Sequence, residues 1–216
     1  SVMAAATAVL DDSQMENGVA VIDLGGATTG VAVYEEGDLQ YVGVVPYGGV
    51  NVTNDLAIGL KIDPEIAEKV KLQHASAVNR NKSSKVTVKH DKETLEFDIA
   101  DIDEIVEARL EEIFEAVNKE LEKAGRAGRL PSGAVLAGGA SNMKSIVDFA
   151  KNQLGVAVRR GKAKGYGGVV DNVNKPEFAA AIGLMLADIN PDGYHSVAAD
   201  ASKTGAKSGG FLSSLF

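Results

Sequence analysis

Apolar residues recur along this chain with two periods, one suited to strands and one to helices. Residues 2–10 are alanine-rich and predict a helix, ended by a break at Asp11-Asp12-Ser13. Three short β-branched runs follow, at residues 19–23, 30–34 and 39–45, with Glu36-Gly37-Asp38 as the turn between the second and third. They predict an antiparallel meander, closed by Pro46-Tyr47-Gly48-Gly49 and followed by a helix over residues 51–60. Asp63-Pro64 sets an N-cap and an N1 proline ahead of a short helix over residues 65–73. Two polar strands, 85–89 and 94–99, flank His90-Asp91-Lys92 as a small hairpin. A long helix then opens at Asp101, with Glu104 in capping-box position. Its apolar residues Ile102, Ile105, Val106, Leu110, Ile113, Phe114, Val117 and Leu121 keep helical spacing as far as the stop at Gly125. Burying such a stripe is worth roughly 1.5–3 kcal/mol for each large side chain.

The last third alternates. Residues 134–137 predict a buried strand, and Ser141 is the expected cap of a helix that carries Met143, Ile146, Val147, Phe149 and Leu154 and ends at Gly155. Residues 156–159 predict a further strand. Residues 177–188 predict a helix with Phe178, Ala181, Ile182, Leu184 and Met185 inward and Gly183 allowing a close approach. Beyond Asn190-Pro191 the composition becomes that of a flexible tail, Gly, Ser, Ala and Lys, ending in Phe211-Leu212-Ser213-Ser214-Leu215-Phe216.

Composition narrows the function classes. A net charge of −8 argues against a nucleic-acid footprint. Residues 91–122 carry thirteen carboxylates against Lys92, Arg109 and Lys119. With no cysteine there is neither a disulfide nor a thiolate metal site. His74, His90 and His195 lack metal-ligand spacing. The chain opens on Ser-Val-Met inside a predicted helix, as a piece of a longer protein would.

Two glycine-rich segments carry the candidate chemistry. Asp23-Leu24-Gly25-Gly26-Ala27-Thr28-Thr29 follows one apolar run, and Leu136-Ala137-Gly138-Gly139-Ala140-Ser141 follows another about 110 residues later. A strand that ends in glycines exposes backbone N–H groups that suit a phosphate. Taken singly, the first reads better as a tight hairpin turn with a capping Asp and the second equally as close helix–strand packing; together they point to one nucleotide held between two turns.

This β-β-β-α-β-α order, with Asp-x-Gly-Gly at the first hairpin and Gly-Gly before a helix, resembles the second half of the actin-like ATPase fold. The residue runs 18–29, 45–57, 67–71, 135–140 and 176–184 resemble the bacterial cell-division FtsA family in particular. The resemblance implies an α/β fold: an actin-like (ribonuclease H-like) domain with a mixed sheet flanked by helices, plus a small inserted α+β subdomain. Residues 1–59 and 120–190 would form the nucleotide-binding subdomain, 60–119 the insertion, and 191–216 a tail leading to a membrane-targeting helix.

It also implies roles for individual residues. Asp23 would sit near the Mg²⁺ of ATP, through water. Gly25, Gly26, Ala27 and Thr28 would face the β- and γ-phosphates, with Gly48 close by. Glu68 and Lys71 would reach ribose and base, and Gly138, Gly139, Ala140 and Asn142 would line the adenosine. Arg109, and more weakly Lys92, would dock the C-terminal peptide of the tubulin-like protein FtsZ. As bare sequence, Glu68 and Lys71 read nearly as well as a solvated helix face, and Arg109 as a partner for Asp103 or Glu112. Phe211, Leu212, Leu215 and Phe216 would begin a membrane anchor, although six residues without adjacent Lys or Arg do not hold a membrane alone.

The expected protein is thus an ATP-binding, weakly or not hydrolysing filament former on the inner face of the cytoplasmic membrane at the division site. No catalytic base stands out. Two departures from the family pattern are Ala27 for Gly and Gly30 for Asp. A PilM-like component of type IV pilus machines and a sugar-kinase-type phosphotransferase share the fold and are the alternatives.

Overall fold

In the computed structural model, which describes residues 1–80, 84–91, 93–164 and 175–189, strands β1 (Val19–Leu24), β2 (Thr29–Glu35) and β3 (Asp38–Val45) form the meander. Strands β6 (Ala134–Ala137) and β7 (Val158–Arg160) extend the sheet on the other side of β1, in the order β3-β2-β1-β6-β7. β1 is antiparallel to β2 but parallel to β6, with Asp23 opposite Gly30 on one side and Ala137 on the other. The mixed sheet expected from the sequence is therefore present.

The alternation along β1 builds two cores. Ala20, Ile22 and Leu24 face one side with Val31, Val33 and Leu136; Val19 and Val21 face the other with Ala32 and Val135. The first face is covered by α5 (Ile99–Lys123) and α6 (Ile146–Leu154), where Phe114 and Phe149 meet edge-on with ring centroids 5.6 Å apart. The same core takes in α3 (Gly49–Leu60), α4 (Pro64–His74) and the hairpin of β4 (Lys85–His90) with β5 (Glu93–Asp98). The second face is covered by α1 (Val2–Val9), against which α7 (Ala179–Ile189) packs.

Four local expectations are corrected. Asp11, read as a break, caps a short helix α2 (Asp12–Asn17) by accepting from the Gln14 N–H at 3.0 Å. α5 starts two residues ahead of Asp101, with Asp98 as its N-cap. Its end is as predicted: Gly125, at φ +69°, lets the N–H groups of Gly125 and Arg126 return to the carbonyls of Glu122 and Leu121. Ser141 does not begin α6. It lies in a 3-10 turn, Gly139–Asn142, and the chain breaks again because Lys144 pairs with Ser76 and accepts from the Ala77 N–H at 2.9 Å.

The fourth correction concerns α7, whose inward face is Ala179, Ile182 and Gly183, while Phe178, Ala181, Leu184 and Met185 lie outward. A helix apolar all round offers no period from which to choose a face. The tail from residue 190 onward lies outside the described residues.

Gly183 decides how closely α7 meets α1. A Cβ there would overlap the Ala4 carbonyl. Gly→Ala in an exposed helix interior ordinarily gains up to about 1 kcal/mol. Gly183→Ala is expected instead to destabilise, by about 1–3 kcal/mol as in overpacked cores. Urea unfolding measures the sign directly, and a raised midpoint would mean that α1 and α7 separate freely.

Candidate functional site

Because β1 and β6 run parallel with Asp23 beside Ala137, both strands end at the same edge of the sheet, and both continue directly into glycine. The two turns therefore emerge side by side. Gly138, at φ +83°, stands so close to the first turn that a Cβ on it would overlap the Leu24 carbonyl and lie 2.6 Å from the Asp23 carboxylate. Only glycine satisfies both the φ and the approach.

The first turn divides its polar groups. The Gly25 N–H closes the turn on the Thr28 carbonyl (3.0 Å), and the carbonyls of Gly25 and Gly26 accept the first two amides of α3, from Gly49 (2.9 Å) and Val50 (2.8 Å). The remaining amides, those of Gly26, Ala27 and Thr28, belong to exposed residues and donate to nothing among the described residues. A Cβ built on Gly26 meets nothing within 4 Å. These three donors at an open tip can take an anion. Ala27 does not adopt a positive φ, so the methyl that departs from the family pattern sits there without strain. The other departure is matched by its neighbour, since a Cβ on Gly30 would lie 2.8 Å from that of Val2.

Of the second turn, the Gly138 N–H is already committed to the Pro176 carbonyl (3.0 Å) and the buried Ser141 hydroxyl to the Gly138 carbonyl (2.7 Å). Gly139 and Ala140 keep amides that have no acceptor among the described residues. The Asn142 amide donates to Glu177 at 2.7 Å, and Glu177 lies beside Gly139. Asp23 is half-buried; burial pushes its carboxyl above the ordinary value, against a hydrogen bond with Ser1 that pulls it down.

Gly48 and Gly49 close the third side. A Cβ on Gly48 would lie 2.6 Å from the Gly26 carbonyl, and one on Gly49 would lie 3.3 Å from the Ala140 methyl. The Gly48 N–H is capped by Asn51 (2.9 Å). Lys71 reaches this corner from α4, donating to the Gly49 carbonyl (3.1 Å), the Thr53 hydroxyl (2.8 Å) and Glu68 (2.7 Å). Glu68 accepts a hydrogen bond from the Thr53 hydroxyl as well. Burial alone would raise the Glu68 carboxyl; the hydrogen bonds from Lys71 and Thr53, with the Lys71 charge, hold it below the ordinary value of 4.5.

Asp23, Gly25, Gly26, Ala27, Thr28, Gly48, Lys71, Gly138, Gly139 and Ala140 thus converge on one corner, with Glu68 at its rim behind Lys71. Asn51 and Thr53 escaped the sequence reading. Asn51 stands three residues after Gly48, a spacing that betrays a cap, whereas the Thr53 contacts to α4 leave no local signal.

Arg109 lies elsewhere. Its guanidinium forks onto Asp55 of α3 and donates to Glu112 at 2.6 Å; Asp103, the other expected partner, instead pairs with Arg80, whose N–H it also accepts at 2.9 Å. Asp55, Arg109 and Glu112 line a cleft of about 260 Å³ between α3 and α5, floored by Gly59, Ile105 and Ala108 and bordered by Ile58, which is 76% exposed. Lys92, Phe211, Leu212, Leu215 and Phe216 lie outside the described residues. Among the described residues no helix is long and apolar enough to cross a membrane.

The family model described as "Cell division protein FtsA" matches residues 20–183. The cell division protein FtsA of Pseudomonas aeruginosa is 33% identical over 188 residues, 85% of this chain and 45% of that protein. That of Neisseria meningitidis is 36% identical over 196 residues, 88% and 47%. The chain therefore spans just under half the length of these relatives.

Among solved structures, MreB5 of Spiroplasma citri bound to ADP superposes with a TM-score of 0.70 at 17% identity, over 88% of this chain and 59% of that one. The PilM–PilN type IV pilus biogenesis complex gives 0.63 at 20%, over 82% and 48%. The MamK double helical filament gives 0.63 at 16%, over 87% and 58%. At these identities the structures speak for the fold alone, which is that of the actin-like ATPases, whereas the extent of the profile match and the sequence identities decide the family: the chain belongs to the FtsA cell-division proteins.

Proposed function

We propose that this chain supplies one half of the nucleotide site of an ATP-binding, actin-like cell-division protein, one that assembles into filaments on the inner face of the cytoplasmic membrane and tethers FtsZ to the division site. The observation that carries the reading is the pair of parallel strand ends whose glycine turns touch at Gly138 and leave the amides of Gly26, Ala27 and Thr28 open. In this reading those amides hold the β- and γ-phosphates beside Gly25 and Gly48. Asp23 faces a water-bridged Mg²⁺, and a cation there relieves a half-buried carboxylate whose ionisation burial disfavours. Gly139, Ala140 and Lys71 border the nucleoside, with Glu68 fixing Lys71. The donor set fits a triphosphate, because backbone N–H groups carry partial positive charge without the bulk of a side chain.

ADP in the MreB5 structure and the filament of MamK support nucleotide binding and self-assembly at the level of the fold. Residues 60–119 form the insertion in this reading, and the α3–α5 cleft with Arg109 takes the FtsZ C-terminal peptide; Lys92 is a secondary contact. Phe211, Leu212, Leu215 and Phe216 begin the membrane anchor. The PilM likeness supports a pilus-assembly reading only through a shared fold, and the family match weighs against it.

Three outcomes test this in the full-length protein. Gly26→Val has open space for its side chain, so thermal stability should stay within about 0.5 kcal/mol while calorimetry shows Mg·ATP bound at least about tenfold more weakly, roughly 1.4 kcal/mol. Unchanged affinity would remove this turn from the site. Arg109→Glu is expected to weaken the FtsZ peptide by about tenfold or more, as loss of an interface anchor does; retained binding would place the peptide elsewhere.

The third outcome concerns acid. A carboxylate held below its unfolded value stabilises the fold fully above that value and loses the contribution as pH falls through the folded one. For Glu68 the window lies below 4.5. Between pH 5 and pH 3, Glu68→Gln should therefore lose less stability than the parent, as read by urea midpoints at each pH; parallel curves would mean that Lys71 and Thr53 do not act on it.

A further inference from the structure

One helix, α3, touches both the anion turn and the α3–α5 cleft. At its start, the first two amides of α3 are held by the Gly25 and Gly26 carbonyls, and the Cβ-free Gly48 presses on the same carbonyls. The residue just before is tied to the turn too, because the buried Thr29 hydroxyl donates to the Tyr47 carbonyl at 2.8 Å. At its far end α3 forms a wall of the cleft. Asp55 takes the Arg109 guanidinium, and Ile58 and Gly59 face Ile105, so closely that a Cβ on Gly59 would lie 2.5 Å from the Ile105 side chain. Ten residues of helix, about 15 Å, separate Gly49 from Gly59. Between them Thr53 binds α3 to Glu68 and Lys71 of α4.

We infer that α3 couples the two places: a nucleotide phosphate held on the open amides of Gly26–Thr28 tightens the α3–α5 cleft for its acidic peptide. This rests on the assignments made under Proposed function and adds their regulation. The physical cause is order. The amides at the tip of the turn donate to nothing among the described residues, yet the turn's carbonyls are what anchor the α3 N-terminus. Ligation of the tip amides fixes those carbonyls, and the peptide then meets a wall whose ordering cost has already been met. The Asp55–Arg109 pair carries the constraint across the cleft, since an α3 that shifts along its axis must drag or break a two-pronged ion pair. By linkage the effect is reciprocal: the peptide tightens nucleotide by the same factor.

The test uses the full-length protein, a fluorescein-labelled C-terminal FtsZ peptide and a non-hydrolysable ATP analogue with Mg²⁺. Anisotropy titrations with and without saturating analogue should give a peptide Kd about fivefold or more lower in its presence, and the analogue should gain the same factor at saturating peptide. Amide hydrogen exchange at Gly49 and Val50 should slow on adding the analogue alone. Thr29→Val, which removes only the bond to the Tyr47 carbonyl, should retain both binding events and show coupling reduced by at least about half. A peptide Kd unchanged or raised by the analogue, in protein that binds both, overturns the inference, as does undiminished coupling in Thr29→Val. Failure of the analogue or of the peptide to bind at all instead overturns the underlying assignment, and the coupling falls with it.

Discussion

The first turn must be held by its carbonyls so that its amides can be spared. In most glycine-rich bends N–H and C=O groups satisfy one another. Here the Gly25 and Gly26 carbonyls are taken up by the Gly49 and Val50 amides of α3, and nothing of comparable strength claims the N–H groups at the tip. Helix starts always leave orphan donors, and this one uses backbone carbonyls as its caps, with Asn51 covering the Gly48 N–H. The arrangement settles three things together: where α3 begins, which way the turn faces, and how closely Gly48 must approach. A side chain on Gly48 would part the turn from the helix.

Much of the fold was legible because it obeys local rules. The meander alternates, α5 keeps its apolar stripe over about six turns, and Gly125 stops it through a backbone conformation that glycine adopts freely. The glycine turns were legible for a related reason, since parallel strands that end in glycine at one sheet edge are where ligands collect in α/β folds. What stayed hidden depends on distant partners. Nothing near Ser141 announces that Lys144 will pair with Ser76 and delay α6. Nothing near Thr53 announces Lys71 and Glu68, eighteen and fifteen residues on. The inward side of α7 was misjudged because Leu184 and Met185 are as apolar as Ile182, and the choice falls to Gly183, whose missing side chain admits the α1 backbone.

Local pairing governs the acidic surface more than its total charge does. Arg109 stands within the acid-rich stretch, yet its donors are already shared between Asp55 and Glu112. The two carboxylates are not equivalent. Asp55 is the less exposed and takes two prongs of the guanidinium, while Glu112 is well exposed and holds by one. An exposed pair of the second kind is worth well under about 1 kcal/mol, so an incoming carboxylate can displace Glu112 at little cost and leave the Asp55 fork in place. In the proposed reading, an acidic peptide would therefore meet little opposition from the surroundings of the cleft. Arg80 and Asp103 illustrate the opposite case: the carboxylate is fully buried, and the pair anchors the segment after α4 to α5.

The same reasoning bears on how a chain of net charge −8 would present the proposed anion site. At physiological ionic strength the Debye length is about 8 Å, so the carboxylates of α5 weigh little against groups in contact with the ligand. At the corner itself the open groups are donors, the amides of Gly26, Ala27, Thr28, Gly139 and Ala140, while the Lys71 ammonium behind Gly49 is paired with Glu68. The carboxylate between the two turns is Asp23, which burial already leaves reluctant to ionise. A triphosphate approaching it would make that worse by like-charge repulsion, unless a divalent cation arrived with it and reversed the sign of the interaction. In the proposed reading, Asp23 would therefore favour a metal–nucleotide complex over the free nucleotide, a discrimination that amides alone do not provide.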